Sequence, residues 1–312
     1  MLYRVLGKTG IKVSVIGVGT WQFGGEWGKT FTQKEVDRIL GTAGDEGMNL
    51  IDTAECYGDH SSEAFIGKSI ARKRDDWIIA TKFGHKFHGF TERSRHFDVD
   101  EVRKQLEDSL RALRTDYIDL YQFHSGTDEE FANDALWIML DKQIDAGKIR
   151  HIGLSIKKNS NLFQTESAPS VGAETIQLVY NRLDRQPEDD VLPACRRLNL
   201  GVLARVPLAS GFLAGKYAPG TVFPENDVRS GRGATETLRR LEEVEQIKNT
   251  ELPAKTKMAS WALAWCLAHP AVTCVIPGCK DERQVRDNAR AVRLVEHPQR
   301  HPLAAQAGKT SG

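Results

Sequence analysis

Four side chains whose types suit proton transfer to or from an oxygen, three of them at the ends of apolar, strand-like runs, stand out in the 312-residue sequence. Asp52 follows Leu50-Ile51, Lys82 follows Ile78-Ile79-Ala80-Thr81, and His124 follows Leu120-Tyr121-Gln122-Phe123. Tyr57 lies five residues beyond Asp52, on the loop that leaves the same run. A phenol with an ordinary pKa of about 10 donates protons poorly at neutral pH unless a nearby cation stabilises its phenolate. Lys82 would supply that cation, Asp52 would hold the ammonium, and His124 would hydrogen-bond the substrate oxygen or share the proton. Each residue alone also has an ordinary reading: a turn aspartate, a solvated lysine, a rim tyrosine, an edge histidine. By spacing alone, several barrel chemistries fit the set.

The elements that must position these residues alternate in type. Eight short apolar runs rich in β-branched residues, at 15–18, 49–51, 77–80, 117–121, 151–154, 176–179, 201–204 and 273–276, read as buried strands. Between them, helical periodicity appears at 32–47, 62–71, 98–113, 128–146, 187–198 and 255–268. Gly147 and Gly201 fall where helix C-terminal caps are expected. No Pro/Gly/Ser-rich linker divides the chain, so the pattern predicts one (β/α)8 barrel domain over residues 1–312, with a loose tail from about 297. A doubly wound sheet is disfavoured because Gly17-Val-Gly19 is followed by Thr20-Trp21 rather than a helix start. The segments around Lys8-Thr9-Gly10 predict a β-hairpin closing the bottom of the barrel. In such a barrel the strand ends that carry Asp52, Lys82 and His124 share the face where active sites form.

The formal net charge of +1 gives no global field for nucleic acid or an anionic membrane. No apolar run reaches the roughly 18–20 residues that span a bilayer, and the N-terminus lacks a signal-peptide core, so a cytoplasmic location is expected. The five cysteines, at 56, 195, 266, 274 and 279, show no CxxC pair and no metal-ligand spacing. They read as buried thiols, and no metal is expected. Cys56, beside Glu55 with no adjacent cation, has no sequence signal for a redox role.

From Leu6-Gly-Lys-Thr-Gly10 to Asn288 the chain resembles the aldo-keto reductase family. The most specific stretch is Asn49-Leu-Ile-Asp-Thr-Ala-Glu-Cys-Tyr-Gly58 with Ser62-Glu63, similar to the family's Asp-Thr-Ala-x-x-Tyr motif. Ala80-Thr-Lys82-Phe is similar to its Thr-Lys element, and Asp119-Leu-Tyr-Gln-Phe-His124 to its Asp-Leu-x-x-x-His element. Matched position by position, Asp52, Tyr57, Lys82 and His124 fall on the catalytic tetrad. The resemblance implies reduction of aldehydes or ketones by NADPH, with NADH less favoured, and a small carbonyl compound as substrate; it leaves the oligomeric state open. It also implies that cofactor binds first.

The cofactor residues that the resemblance implies extend along the strand ends. Gly19, Thr20 and Trp21 follow the first strand, where Trp21 joins Tyr57 and His124 in the substrate pocket. Gly153-Leu-Ser155 is similar to a turn whose serine meets the nicotinamide carboxamide, and Gln177 matches a glutamine with the same role. Pro207-Leu208-Ala-Ser210-Gly211, continuing to Lys216, is similar to the loop that wraps the pyrophosphate. Glycines admit backbone N–H groups to phosphate there, and Lys216 adds charge. Gly278, Lys280, Gln284 and Asn288 are similar to the adenosine site, with Lys280 the candidate for the 2′-phosphate; Arg229 and Arg232 reach the same region.

Three departures stand out. Ile156 replaces an asparagine after the Gly-x-Ser turn, Ser125 replaces a large aromatic after His124, and Arg205-Val206 replaces an aromatic-serine pair. A second reading, a nucleotide-sensing partner protein like the potassium-channel β subunits that resemble this family, is disfavoured by His124, which those subunits typically lack. A barrel hydrolase would need a metal cluster, and an aldolase a lysine of lowered pKa, whereas Lys82 beside Asp52 is set to stay charged. Arg205-Val206 predicts a guanidinium plane stacked on the nicotinamide. Arg205→Ala should raise the NADPH dissociation constant several-fold by fluorescence titration; an unchanged constant removes that contact.

Overall fold

The computed structural model describes residues 1–295, so the tail expected from 297 lies outside the described residues. Among the described residues there are twelve strands, in order β1 (Tyr3–Val5), β2 (Lys12–Ser14), β3 (Val18–Gly19), β4 (Leu50–Asp52), β5 (Ile78–Phe83), β6 (His85–Gly89), β7 (Glu92–Arg95), β8 (Ile118–His124), β9 (Ile149–Ser155), β10 (Ala173–Val179), β11 (Gly201–Arg205) and β12 (Cys274–Ile276). Eight of them form one sheet in the order β3-β4-β5-β8-β9-β10-β11-β12, every pair parallel. The ring closes where β12 meets the first strand, through parallel bridges Ile16 to Val275 and Gly19 to Gly278. The Gly17 and Gly19 amides donate there to Val275 and Pro277 carbonyls at 2.9 and 3.0 Å. A Cβ on Gly19 would lie 2.6 Å from the Ile276 carbonyl oxygen, so only glycine allows this closure. The expected (β/α)8 barrel is therefore present, with all eight strands.

The N-terminal hairpin is present as well, β1 pairing antiparallel with β2. It carries Leu6 and Val13 into the barrel floor, where they pack with Leu50, Ala80, Leu120, Leu203, Cys274 and Ile276. Gly201 has a different role from the expected helix cap. Asn199, at φ 52, takes the left-handed position, while Gly201 opens β11 because a Cβ there would meet Leu6 Cδ1 at 2.7 Å. The hairpin can seal the floor only over a bare backbone.

Local chemistry sets the helices. Thr32 and Glu35 form a reciprocal capping box at the start of Gln33–Asp45, and Asp98 caps Val99–Leu113. The expected helix at 128–146 is two helices, Asp128–Phe131 and Asp134–Asp145. Trp137 fixes the break by donating to the Phe131 carbonyl at 2.7 Å. The segment at 187–198 divides into a 3-10 turn, Gln186–Glu188, and the helix Val191–Arg197. Several elements have no counterpart in the sequence reading: the antiparallel pair β6–β7, the short helices Leu162–Ser167, Glu282–Ala289 and Val292–Val295, and the helix Ala234–Thr250 with a narrow buried stripe of Thr237, Leu241, Val244 and Ile247. Among the described residues no helix is long and apolar enough to cross a membrane.

The floor gives a direct test. Leu6 is fully buried and neighbouring Val5 is 57% exposed. Leu6→Ala should cost about 3 kcal/mol of unfolding free energy and Val5→Ala less than about 0.5, by urea titration. Equal small effects would mean that the hairpin does not seal the barrel.

Candidate active site

The parallel register puts the chemistry-bearing residues on one rim. Gly19 pairs with Asp52, Lys82 with Gln122, His124 with Ser155, and Val179 with Arg205. Lys82 is fully buried. Its Nζ donates to Asp52 Oδ2 at 2.8 Å, to the Thr53 carbonyl at 2.6 Å and to the Tyr57 hydroxyl at 3.4 Å. Asp52 is fixed from the other side, because Gln177 Nε2 donates to its Oδ1 at 2.6 Å and Gln122 Nε2 at 3.4 Å. Ser155 Oγ in turn donates to Gln177 Oε1 at 3.3 Å. Ser155 and Gln177 thus belong to the hydrogen-bonded support of Asp52 as well as to the rim.

Tyr57 rides on a tight turn after β4. Its amide donates to the Ala54 carbonyl at 3.1 Å, and Gly58 follows at φ 67, so close to Gly24 that a Cβ would sit 2.7 Å from its carbonyl oxygen. The Tyr57 ring stacks on Trp21, centroids 5.9 Å apart and planes inclined by 19°, and meets the His124 ring edge-on at 6.4 Å. Ser62 and Glu63, on the helix Ser61–Ile70, lock the strand ends beneath: Thr53 Oγ1 donates to Ser62 Oγ at 3.0 Å, and Thr81 Oγ1 to Glu63 Oε1 at 2.6 Å.

The electrostatics follow from burial and one cation. Burial pushes the Tyr57 phenol up to about 12, against the opposing pull of Lys82. The lowering expected from Lys82 is present but smaller than the desolvation. Burial works against the Lys82 ammonium too, yet the Asp52 carboxylate holds it above the ordinary lysine range. Burial, then the neighbouring His85 and Lys82, drive His124 well below the ordinary histidine value. At neutral pH the rim therefore carries a protonated phenol, an ammonium and a neutral imidazole. Burial pushes the Cys56 thiol up, so that it is protonated at neutral pH.

A cavity of 580 Å³ opens beside this cluster, lined by Trp21, Arg205, Val206, Ser210, Arg229 and Arg232 among the sequence candidates, and by Trp27. Its wall also holds Lys157, Lys158 and Arg240, against one acid, Asp184, already paired with Arg240 at 3.0 Å. The loop after β11 is bent by left-handed residues at Val206, Ala209, Ser210 and Gly211, with φ of 56, 48, 58 and 90. Such a run is costly for a β-branched residue and makes the concave backbone that accepts anions. Arg205 Nη2 donates to the Ile156 carbonyl at 3.2 Å, and its Nε is buried without a partner. A six-cation wall, a strained anion-accepting loop and an orphaned buried guanidinium N–H fit a dinucleotide.

The remaining candidates lie off that wall. Lys216 is exposed, with Nζ 5.0 Å from the Tyr217 ring. The Lys280 ammonium donates to the Trp27 carbonyl, and its amide to Gln284 Oε1 at 2.9 Å. Asn288 is buried, with Nδ2 3.2 Å from Cys279 Sγ. Sequence reasoning missed Glu26, which is 2% exposed and organises the mouth: it accepts from Trp21 Nε1 at 2.7 Å and from the Thr91 amide at 2.9 Å, and pairs with Arg93. It missed Lys157 and Lys158 too, although they directly follow Ile156 at a strand end.

Comparisons with known proteins agree with this architecture. A sequence profile of the aldo/keto reductase family matches residues 15–301. YrpG, an oxidoreductase of Bacillus subtilis, is 32% identical over 94% of this chain and 92% of its own length. The aldo-keto reductase YhdN of the same organism is 33% identical over 91% of this chain and 87% of its own length. Among solved structures, the glycerol dehydrogenase AKR11B4 from Gluconobacter oxydans superposes with a TM-score of 0.77 at 30% identity, covering 97% of this chain and 95% of that one. The holo form of the aldo-keto reductase AKR11C1 from Bacillus halodurans gives 0.79 at 29% identity, covering 94% and 91%. With eight parallel strands in a closed ring, a hairpin beneath and a profile match over most of its length, the chain belongs to the aldo/keto reductase family of oxidoreductases.

Proposed function

We propose that this chain is an NADPH-dependent reductase of aldehyde and ketone carbonyls, built as one barrel domain, in which Tyr57 donates the proton. The observation that carries this reading is the chain of contacts from Asp52 through the buried Lys82 ammonium to the Tyr57 hydroxyl, at 2.8 and 3.4 Å. Burial keeps the proton on Tyr57 at neutral pH. As negative charge grows on a carbonyl oxygen beside the hydroxyl, Tyr57 hands over that proton, and Lys82 stabilises the phenolate left behind. The neutral imidazole of His124 hydrogen-bonds the same oxygen and fixes its place against the phenol. Asp52 keeps the ammonium charged, and Gln177 keeps Asp52 oriented. Trp21, stacked on Tyr57, forms the pocket wall that lays the carbonyl compound across the site.

When bound, NADPH supplies the hydride. Ser155, Gln177 and Arg205 would hold its nicotinamide end, and the 206–211 loop its pyrophosphate, with Lys216 nearby. Gly278, Gln284 and Asn288 would frame the adenosine. Lys280, Arg229 and Arg232 bring positive charge toward a 2′-phosphate, which favours NADPH over NADH. The name of a Schizosaccharomyces pombe relative, the aldo-keto reductase yakc [NADP(+)], 30% identical over 90% of this chain, supports the same preference.

Loss of nicotinamide absorbance across a panel of aldehydes, ketones and sugars, with NADPH and NADH compared, tests the reaction; glycerol oxidation with NADP+ tests the reverse. Tyr57→Phe should lower kcat for reduction by at least about 10²-fold while leaving the NADPH dissociation constant within about two-fold. Full turnover in that variant, or no turnover of any carbonyl by the unaltered protein, would overturn the assignment.

A further inference from the structure

A second set of donor atoms lies against the Tyr57 site and takes no part in the reduction as derived above, apart from His124. Glu55 and Cys56, on the loop after β4, are buried; His85, at the start of β6, and His124, at the end of β8, are half-buried. One ligand atom from each falls within 4.8 Å of all the others. Cys56 Sγ is 3.9 Å from His124 Nδ1, and the two imidazole centroids are 4.7 Å apart. Two polar atoms of the set are buried and have no hydrogen-bond partner among the described residues, Glu55 Oε2 and His85 Nδ1. Glu55 is 2% exposed, and its other oxygen accepts from the His85 amide at 2.9 Å, which pins the carboxylate beside the cluster.

We propose that Glu55, Cys56, His85 and His124 form a binding site for Zn2+ or a divalent ion of similar softness, and that the bound ion arrests carbonyl reduction by taking His124. The donor set decides the class of ion. One thiolate, two imidazoles and one carboxylate suit a four-coordinate borderline ion, whereas Mg2+ and Ca2+ call for oxygen ligands. Tetrahedral bonds of about 2.0–2.3 Å place donors roughly 3.3–3.8 Å apart, so the present spacing closes onto an ion with movements of about 1 Å. The buried pair would form the floor of the site, and the half-buried histidines would face the pocket by which the ion enters.

Neighbouring charges are already compensated: Arg93, which donates to the Cys56 carbonyl at 3.4 Å, pairs with Glu26, and Lys82 pairs with Asp52. On coordination the Cys56 thiol, and the Glu55 carboxyl where it is protonated, release their protons to solvent. A thiolate and a carboxylate then neutralise the two charges of the ion. Metal on Nδ1 of His124 couples a cation to the ring that would hydrogen-bond the substrate and ties that ring to the cluster. The ordering of the cysteines alone offers no sign of this site, because its donors come from three different strand ends.

Ion binding stands on these residues alone; the inhibitory half rests on the proposed reductase function, and the two are read separately. The chelator-treated protein is titrated with Co2+. One equivalent should bind with a thiolate-to-cobalt charge-transfer band in the near ultraviolet and d–d bands in the visible, and Zn2+ should abolish both. Cys56→Ala should lose the charge-transfer band, and His85→Asn should weaken Co2+ binding by at least about tenfold. A cobalt spectrum of the unaltered protein without thiolate ligation overturns the site, whatever the variants do. In turnover assays, Zn2+ should inhibit reversibly on chelation. Cys56→Ala should raise the inhibitory concentration at least about tenfold and, with chelator present, keep turnover within about two-fold. Stoichiometric Co2+ binding with undiminished turnover would overturn the coupling to His124 and leave the ion site standing.

Discussion

A lysine ammonium with no exposure to solvent sets the terms for everything around it. Removing such a charge from water costs several kcal/mol, and only a close counter-charge with its remaining valences filled makes the burial tolerable. Lys82 finds Asp52 at 2.8 Å and the Thr53 carbonyl at 2.6 Å. Asp52 in turn needs partners, and it finds them on β8 and β10, where Gln122 and Gln177 point inward. The ion pair therefore fastens together four of the eight strands. Its strictness explains why the Tyr57 turn is so tightly specified by Gly58 and Gly24: the phenol has to arrive within reach of an ammonium that cannot move.

That dependence also explains how much was legible beforehand. Strand ends are marked in the sequence by the change from an apolar run to an ionisable residue, so Asp52, Lys82 and His124 could be located from periodicity, and a parallel barrel brings such ends together. The hairpin beneath was legible for a different reason, since Lys8-Thr9-Gly10 marks a turn between two short extended segments. What escaped notice has weak periodicity or acts across a long separation in sequence. The β6–β7 pair alternates half-buried and exposed residues of mixed polarity, which resembles a loop. Glu26 reads as an ordinary loop acid until Trp21, Thr91 and Arg93 converge on it. A glycine after a helix is a cap more often than a bare patch reserved for a leucine far off in sequence, so the role of Gly201 emerges only where Leu6 lies over it.

The basic cavity shows a different limit. Lys157 and Lys158 follow β9, Arg232 stands just before the helix Ala234–Thr250 and Arg240 lies within it, and no spacing rule links the first pair to the second. Their shared direction follows from the geometry of the strand ends and from the segment around Asp227, where the Val228 amide donates to the Glu26 carbonyl at 3.0 Å and Arg229 pairs with Asp227. Arg229 is thereby held in a fixed orientation, its charge partly spent on its own loop. The cations with no acid within salt-bridge distance among the described residues, Lys157, Lys158 and Arg205, are left to meet an anion arriving from outside.

The hairpin under the barrel gives the molecule two unlike ends. Leu6 and Val13 fill the floor against Leu50, Ala80, Leu120, Leu203, Cys274 and Ile276, so the space between the strands is solid core rather than a channel. The rim, where Trp21 borders both the Tyr57 phenol and the basic cavity, is built from loops that carry little of that packing. One pole of the barrel is therefore answerable for its endurance and the other is free to vary with what it must hold.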